Sequence, residues 1–273
     1  MSRTLKGQVV VITGAGRGIG LATASRFAEA GAVVVIGDLD DDVAAKAALQ
    51  IGGSTVAHVV DVADRASFAT FIAFAQQHGP VDILVNNAGI MPLSPLVDET
   101  DAATDRILDV NLRAVITGTK LVAPAMIARG SGHIINVASA VGRIAVANGA
   151  TYSASKYAVM GFSEAMQSEL AASGVDVSCI LPTVVDTELA AGVSATKGMR
   201  AVRPDEVASA IVKVAQKPRF ETWVPGWSKG LFYSMNVLPR RVRNGAGHAI
   251  GADEALRAVD VEARREYERR ASS

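Results

Sequence analysis

What most limits the fold of this chain is a regular alternation of short β-branched runs with longer stretches of helical periodicity. Val9 to Thr13, Val33 to Asp38, Thr55 to Val60, Ile83 to Asn86, His133 to Ala138 and Asp176 to Leu181 read as strands, several of them apolar on both faces. Gly18 to Ala30, Asp41 to Gln50, Asp64 to His78, Asp101 to Arg129 and Tyr152 to Ala172 read as helices, with Gly31 a natural stop for the first. A further helix is expected at Pro204 to Gln216, where Pro204 suits the first turn, and a short last strand at Thr222 to Val224. Strands buried on both faces and joined by helices form parallel sheets. Right-handed crossovers then put helices on both sides, so the expected class is α/β, a doubly wound parallel sheet of about seven strands.

The bulk numbers agree with one such unit. A chain of 273 residues can bury a large core, and an apolar share of 49% excludes a disordered one. Residues 1–226 are expected to form a single catalytic domain, its cofactor part over about 5–135 and its catalytic and substrate part over about 136–226. Lys plus Arg and Asp plus Glu stand at 27 each, so there is no basic excess to suggest a nucleic-acid partner. The one cysteine, Cys179, excludes an internal disulfide and lies in an apolar run that reads as core. His58, His78, His133 and His248 lack metal-ligand spacing, so no metal is expected. No run is long and apolar enough for a membrane span, and Met1 to Lys6 lacks the apolar core of a signal peptide, so a cytoplasmic protein is expected.

The turn Thr13-Gly14-Ala15-Gly16-Arg17-Gly18-Ile19-Gly20 joins the first strand to the first helix. In that position glycines let the backbone turn tightly and approach a pyrophosphate, and the helix start offers free N–H groups to it. Asp38 closes the second strand about 20 residues on, where an acid can accept hydrogen bonds from the adenosine ribose hydroxyls. It would repel a 2′-phosphate, which favours NAD over NADP. Arg17 pulls the other way, while Leu39 follows Asp38 where a second base would help NADP.

Tyr152 and Lys156, four apart at a helix start, share a face. A neighbouring ammonium is expected to lower a tyrosine pKa from about 10 by about 1–3 units, making the phenol a usable acid and base. Ser139 sits just past a strand, at the sheet edge where open parallel sheets bind ligands, and its hydroxyl can hold a substrate oxygen.

Taken together, these residues resemble the short-chain dehydrogenase/reductase family, in its single-domain branch, over about Leu5 to Val224. The resemblance implies a Rossmann-like fold and a nicotinamide dinucleotide as cofactor. Gly14, Gly18 and Gly20 match the family's cofactor turn, Asn86-Asn87-Ala88-Gly89 its motif beside the adenosine, and Asp61-Val62 its pair beside adenine. Asn111, Ser139, Tyr152 and Lys156 match its catalytic tetrad. By position, Tyr152 is implied to be the acid/base, Ser139 to orient the substrate, Lys156 to bind the nicotinamide ribose, and Asn111 to hold a water that links Lys156 to solvent. Pro182-Thr183-Val184-Val185-Asp186-Thr187 departs from the family at Thr183, where a glycine is usual, while Pro182, Val185 and Thr187 stay placed for the carboxamide.

The substrate wall is expected from Met91, Pro92 and Leu93, from Val141 to Thr151, and from a flexible Glu188 to Arg200. Ile144, Val146, Leu189 and Val193 make it apolar, with Arg143 and Asn148 as polar contacts, which points to a lipophilic secondary alcohol or ketone. Family members are usually dimers or tetramers, and the resemblance implies an interface on the helices at Asp101 to Arg129 and Tyr152 to Ala172. Residues 227–273 read as a C-terminal helical extension: Leu231 to Leu238 is apolar and aromatic, Arg240-Arg241-Val242-Arg243 basic, and Asp253 to Arg270 a charged helix. Its expected place is against the body or a neighbouring subunit, with a membrane-surface contact or a flap over the substrate as alternatives. Two rival functions stay open: an NADP-dependent reductase, and a non-catalytic dinucleotide sensor or scaffold.

Overall fold

In the computed structural model, which describes residues 2–193, 200–239, 241, 264, 267 and 269, the alternation resolves into seven parallel strands in one sheet. The strands are β1 (Val9–Thr13), β2 (Val33–Asp38), β3 (Thr55–Val59), β4 (Val81–Asn86), β5 (Gly132–Val137), β6 (Val175–Pro182) and β7 (Glu221–Val224). Their order is β3-β2-β1-β4-β5-β6-β7. The direction of winding therefore reverses between β1 and β4, which opens a crevice at their carboxyl ends. The helices are α1 (Gly18–Glu29), α2 (Asp41–Ile51), α3 (Arg65–Gln76), α4 (Asp101–Leu108), α5 (Ala114–Arg129), α6 (Ala150–Leu170), α7 (Pro204–Gln216) and α8 (Ser228–Val237).

Strand pleating sorts the core into two layers. Val10, Ile12, Val34 and Ile36 join Ala24 and Phe27 of α1 and Val207 and Ile211 of α7 on one face. Their neighbours Val9, Val11 and Val35 join Phe68 and Phe71 of α3 and Val122 and Met126 of α5 on the other. Alternation with a period of two along twice-buried strands produces this division. Asp64 caps α3 by accepting from the N–H groups of Ala66 and Ser67, and Thr100 caps α4 through the N–H of Ala103.

One element differs from the sequence expectation. The helix expected unbroken from Asp101 to Arg129 widens into a π turn at Asp109–Arg113. Such a turn accommodates one extra residue and is common where a helix must present a particular side chain. The apolar run beyond Pro225 forms α8, tied to β7: Glu221 accepts from Trp223 Nε1 at 2.6 Å and from the Tyr233 hydroxyl at 3.0 Å. Of the charged helix expected from Asp253 to Arg270, only residues 264, 267 and 269 lie among those described. No helix of the described residues is long and apolar enough to cross a membrane.

Candidate active site

The β1–α1 turn is fixed from across the β1/β4 crevice. Asn87 donates from Nδ2 to the carbonyls of Thr13 and Gly14, both at 2.9 Å. The Thr13 hydroxyl oxygen accepts from the N–H groups of Asn87 and Ala88, both at 3.1 Å. Gly14 takes φ +62°, and a Cβ there would stand 2.9 Å from the Cα of Ala88, so conformation and space both require glycine. At Gly16 a Cβ would meet Asp38 Oδ2 at 2.9 Å, the oxygen that accepts from the Gly16 N–H at 2.9 Å. Gly20 does not face the cavity; it lets α1 pack onto the turn, where a Cβ would fall 2.3 Å from the Gly14 carbonyl oxygen. No side chain caps α1 at Arg17, which leaves its first N–H groups for an anion.

A single cavity of about 590 Å³ runs from this turn to the ends of β5 and β6. At one end it is bounded by Gly14, Arg17, Gly18, Ile19, Asp38 and Leu39, with Asp61 and Val62 beyond them. Asn87, Ala88 and Gly89 line it as well, as do Pro182, Val185 and Thr187. The uncapped helix start, the glycine cradle and the carboxylate at the end of β2 fit the diphosphate and ribose of a dinucleotide. Arg17 reaches Asp40, Nη2 to Oδ2 at 3.4 Å, with both side chains substantially exposed. Asp61 turns its carboxylate to Arg106, 3.2 Å away. Sequence reading missed Arg106 because its partner lies 45 positions off.

At the far end stand Ser139, Tyr152 and Lys156, all buried and all on the cavity wall. The Ser139 hydroxyl lies beside the Tyr152 phenol, close enough to favour its ionised form. The Lys156 ammonium donates to the Val137 carbonyl at 3.2 Å and lies 5.8 Å from the centre of the Tyr152 ring. The expected lowering of the tyrosine pKa by its neighbour is not what this chain alone produces. Burial pushes the Tyr152 phenol up to about 12, against a lowering from the Ser139 hydroxyl, and burial brings the Lys156 ammonium down to about 8. Desolvation disfavours both charged forms and is the largest influence on each.

Asn111 sits on the π turn, fully buried and off the cavity wall. Its Oδ1 accepts from the Ile90 N–H, and its Nδ2 donates to the Ile90 carbonyl, both at 2.8 Å, and to Ser155 Oγ at 3.3 Å. The side chain thus fixes the loop after β4. A Cβ on Gly89 of that loop would stand 3.3 Å from Asn111 Oδ1 and 3.6 Å from Lys156 Nζ, so backbone runs directly beside the amine.

Thr183, the residue that departs from the family pattern, has no positive φ and donates its N–H to the Val224 carbonyl at 3.0 Å. A side chain fits there without strain, and the loop beyond is held by the pairing of Val185 with Val202. Met91, Ile144, Val146, Leu189 and Val193 line the cavity as expected, whereas Pro92 and Leu93 do not. Arg143 and Asn148 are also absent from the wall. Arg143 pairs instead with Glu221 at 2.9 Å, because that largely buried carboxylate on β7 offers a stronger partner than an apolar pocket. Leu231, Phe232 and Met235 of α8 and Tyr267 also line the cavity, a place beside the substrate that sequence reading gave the extension only as an alternative. No group of His, Cys, Asp and Glu among the described residues is arranged to hold a metal.

A family model described as short chain dehydrogenase matches residues 8–198. The probable oxidoreductase EphD of Mycobacterium tuberculosis is 35% identical over 263 residues, covering 87% of this chain and 44% of that protein. The chain thus spans less than half the length of that relative. Galactitol 2-dehydrogenase of Agrobacterium fabrum is 38% identical over 230 residues, covering 83% of this chain and 89% of that protein. Among solved structures, a short chain dehydrogenase/reductase from Burkholderia phymatum in complex with NAD matches with TM-score 0.78 at 24% identity, over 85% of this chain and 93% of that one, a likeness of fold. A metagenomic short-chain oxidoreductase in complex with NADP matches with TM-score 0.71 at 34% identity, over 81% and 98% of the two chains.

Proposed function

Because the chain belongs to the short-chain dehydrogenase/reductase family, we propose that it moves a hydride between NAD(H) and a secondary alcohol or its ketone with an apolar body. The observation that carries this is one cavity holding the glycine turn and Asp38 at one end and Ser139, Tyr152 and Lys156 at the other. Gly14 to Gly20 would hold the diphosphate, Asp38 the adenosine ribose, and Val185 and Thr187 the carboxamide. Bound dinucleotide supplies the hydride acceptor or donor and, when oxidised, a positive ring beside the Tyr152–Lys156 pair.

In that field the phenol of Tyr152 falls from its buried value of about 12 toward the working range and exchanges a proton with the substrate oxygen. Ser139, beside Tyr152 on the cavity wall, holds the same oxygen as charge changes on it. Lys156 binds the neighbouring ribose and keeps a positive charge near the phenol. Both amide hydrogen-bonding directions of Asn111 are engaged by Ile90 and Ser155, so this residue supports Lys156 by fixing the backbone at Gly89 beside it.

Val141, Ile144, Val146, Leu189 and Val193 favour a substrate with an apolar body. Assembly into a homodimer or homotetramer through α5 and α6 belongs to the same proposal and is read by size-exclusion light scattering. The second reading, an NADP-dependent carbonyl reductase, is favoured by Arg17 on the cavity wall. Asp40, paired with that guanidinium, argues for NAD.

The test is turnover followed at the nicotinamide absorbance, with NAD or NADP, against aliphatic, alicyclic and polyol alcohols. Tyr152→Phe is expected to keep cofactor binding and lose about 100-fold or more in turnover, the usual share of a general acid/base. Unchanged turnover in Tyr152→Phe, preference for NADP, or activity on polyols alone would overturn the catalytic, cofactor or substrate assignment respectively.

A further inference from the structure

Arg264 is fully buried although it lies far along the chain from every cavity residue but Tyr267, and it does not itself line the cavity. Its Nη1 donates to the carbonyls of Leu189 and Ala191 at 3.1 and 2.9 Å, and its Nη2 to the carbonyl of Met91. About one helical turn on, the Tyr267 hydroxyl oxygen accepts from the Met91 N–H at 2.6 Å. The guanidinium lies over the Tyr267 ring, 4.9 Å from its centre. Both main-chain polar groups of Met91 therefore end on the C-terminal segment.

Met91 follows β4, whereas Leu189 and Ala191 follow β6, so the two loops approach the cavity from different strands. One planar guanidinium bridges them. A guanidinium can do so because its donors diverge in a rigid fork, which the point charge of a lysine does not reproduce. Tyr267 itself forms part of the cavity wall, beside Met91, as do Leu231 and Met235.

We infer that Tyr267 is part of the outer wall of the substrate pocket and sets the length of the apolar substrate body, with Arg264 acting as the positioning residue that clamps this wall to both loops. Its substrate side rests on the dehydrogenase function proposed above; the clamp rests on the contacts alone. The pocket then accepts secondary alcohols and ketones whose apolar part ends against the Tyr267 ring, and it rejects longer ones by steric exclusion.

Two readouts on the full chain test this. In the first, reduction of a series of 2-alkanones of increasing length is measured for wild type and Tyr267→Ala. The variant is expected to raise the long-to-short ratio of kcat/KM about tenfold or more, through KM, as expected when an apolar pocket gains room for a methylene or more. Its affinity for NADH should stay unchanged. In the second, amide hydrogen exchange is followed at Met91. Tyr267→Phe removes one oxygen and keeps the ring, so it is expected to fold and to speed Met91 exchange about tenfold, the effect of losing one hydrogen bond. Exchange over Gly14 to Gly20 should not change. Arg264→Met should give both effects, and Arg264→Lys a partial return toward wild type. An unchanged alkanone profile in Tyr267→Ala, or unchanged Met91 exchange in Tyr267→Phe, overturns the wall. If wild type turns over no alcohol or ketone, the proposed function falls, and the exchange result alone decides whether the clamp exists.

Discussion

Replacing Asp38 by asparagine should invert the cofactor preference, and the size of the change follows from the hydrogen bonds around the carboxylate. Oδ2 accepts from the Gly16 N–H at 2.9 Å and Oδ1 from the Asp40 N–H at 3.3 Å. Each ionised oxygen retains acceptor capacity for a ribose hydroxyl. The amide of the Asp38→Asn variant would keep the shape but turn an NH₂ toward one of those two N–H groups, so a donor would face a donor. Losing a charge-assisted bond to a hydroxyl costs about 1.5–3 kcal/mol. That corresponds to a rise in the Kd for NADH of about 10- to 150-fold. For NADPH the same change removes a repulsion of about 3–4 kcal/mol, the value for unit charges 4–6 Å apart at an effective dielectric near 20. Solvent at this edge screens part of it, leaving a gain of about tenfold or more. Arg17 can then turn to the 2′-phosphate, since its contact with Asp40 is long, at 3.4 Å, and exposed. The ratio of the two Kd values should thus move by about two orders of magnitude or more. Calorimetric titration of NADH and NADPH into wild type, Asp38→Asn and the control Asp40→Asn measures it. A ratio that moves by less than about threefold in Asp38→Asn would mean that this carboxylate does not read the ribose.

Other consequences can be checked in the same preparations. Lys156→Met should abolish turnover yet stabilise the cofactor-free chain at pH 7 by about 1–3 kcal/mol in urea denaturation, because the buried ammonium has been brought from 10.5 to about 8. The sign follows from linkage: the unfolded lysine holds its proton up to 10.5 and the folded one only to about 8, so wild-type stability should climb across that window as pH rises. His133, buried between strands and hydrogen-bonded to Ser178 at 2.8 Å, is pushed by burial from 6.5 down to about 4. Between those values the unfolded chain binds the extra proton, so wild type should lose up to about 3 kcal/mol as pH falls from 6.5 to 4, and His133→Gln should flatten that slope. Asn111→Ala leaves the buried N–H and carbonyl of Ile90 without their partner and should cost about 2–4 kcal/mol together with NAD affinity, whereas Asn111→Asp should retain the acceptor for the Ile90 N–H.

How much of this was written in the sequence varies from residue to residue. β1, β2 and α7 begin and end where β-branched runs and Pro204 place them, because local sterics and pleating decide those boundaries. The glycine turn and Asp38 were equally legible, since a turn between a strand and a helix must meet the end of the next strand at a fixed distance. The spacing of Tyr152 and Lys156 correctly put both on one face, but it carries no information on desolvation, which reverses the expected direction of the Tyr152 pKa in this chain alone. Arg143 was expected to face the substrate and faces Glu221, a partner 78 positions away that no local pattern reveals. The π turn was not read either, because α5 after it is apolar on most of its faces, so a shift of the stripe by one residue does not stand out. Arg264 was hidden among charges that read as a solvated helix face, and only the assembled loops show why a cation is buried there.

The loop that leaves β4 is gripped at two successive residues from unrelated parts of the chain: Ile90 by the helix-borne amide of Asn111, and Met91 by Arg264 and Tyr267. Neither residue therefore has a main-chain N–H left to offer an incoming molecule. A carbonyl or carboxylate oxygen, which can only accept, would surrender its water against this stretch and receive no main-chain N–H in return. If the proposed reaction is the right one, selection on this side should go by contour, and guests bearing a carbonyl or carboxylate oxygen at that point of their skeleton should bind worse than their plain hydrocarbon counterparts.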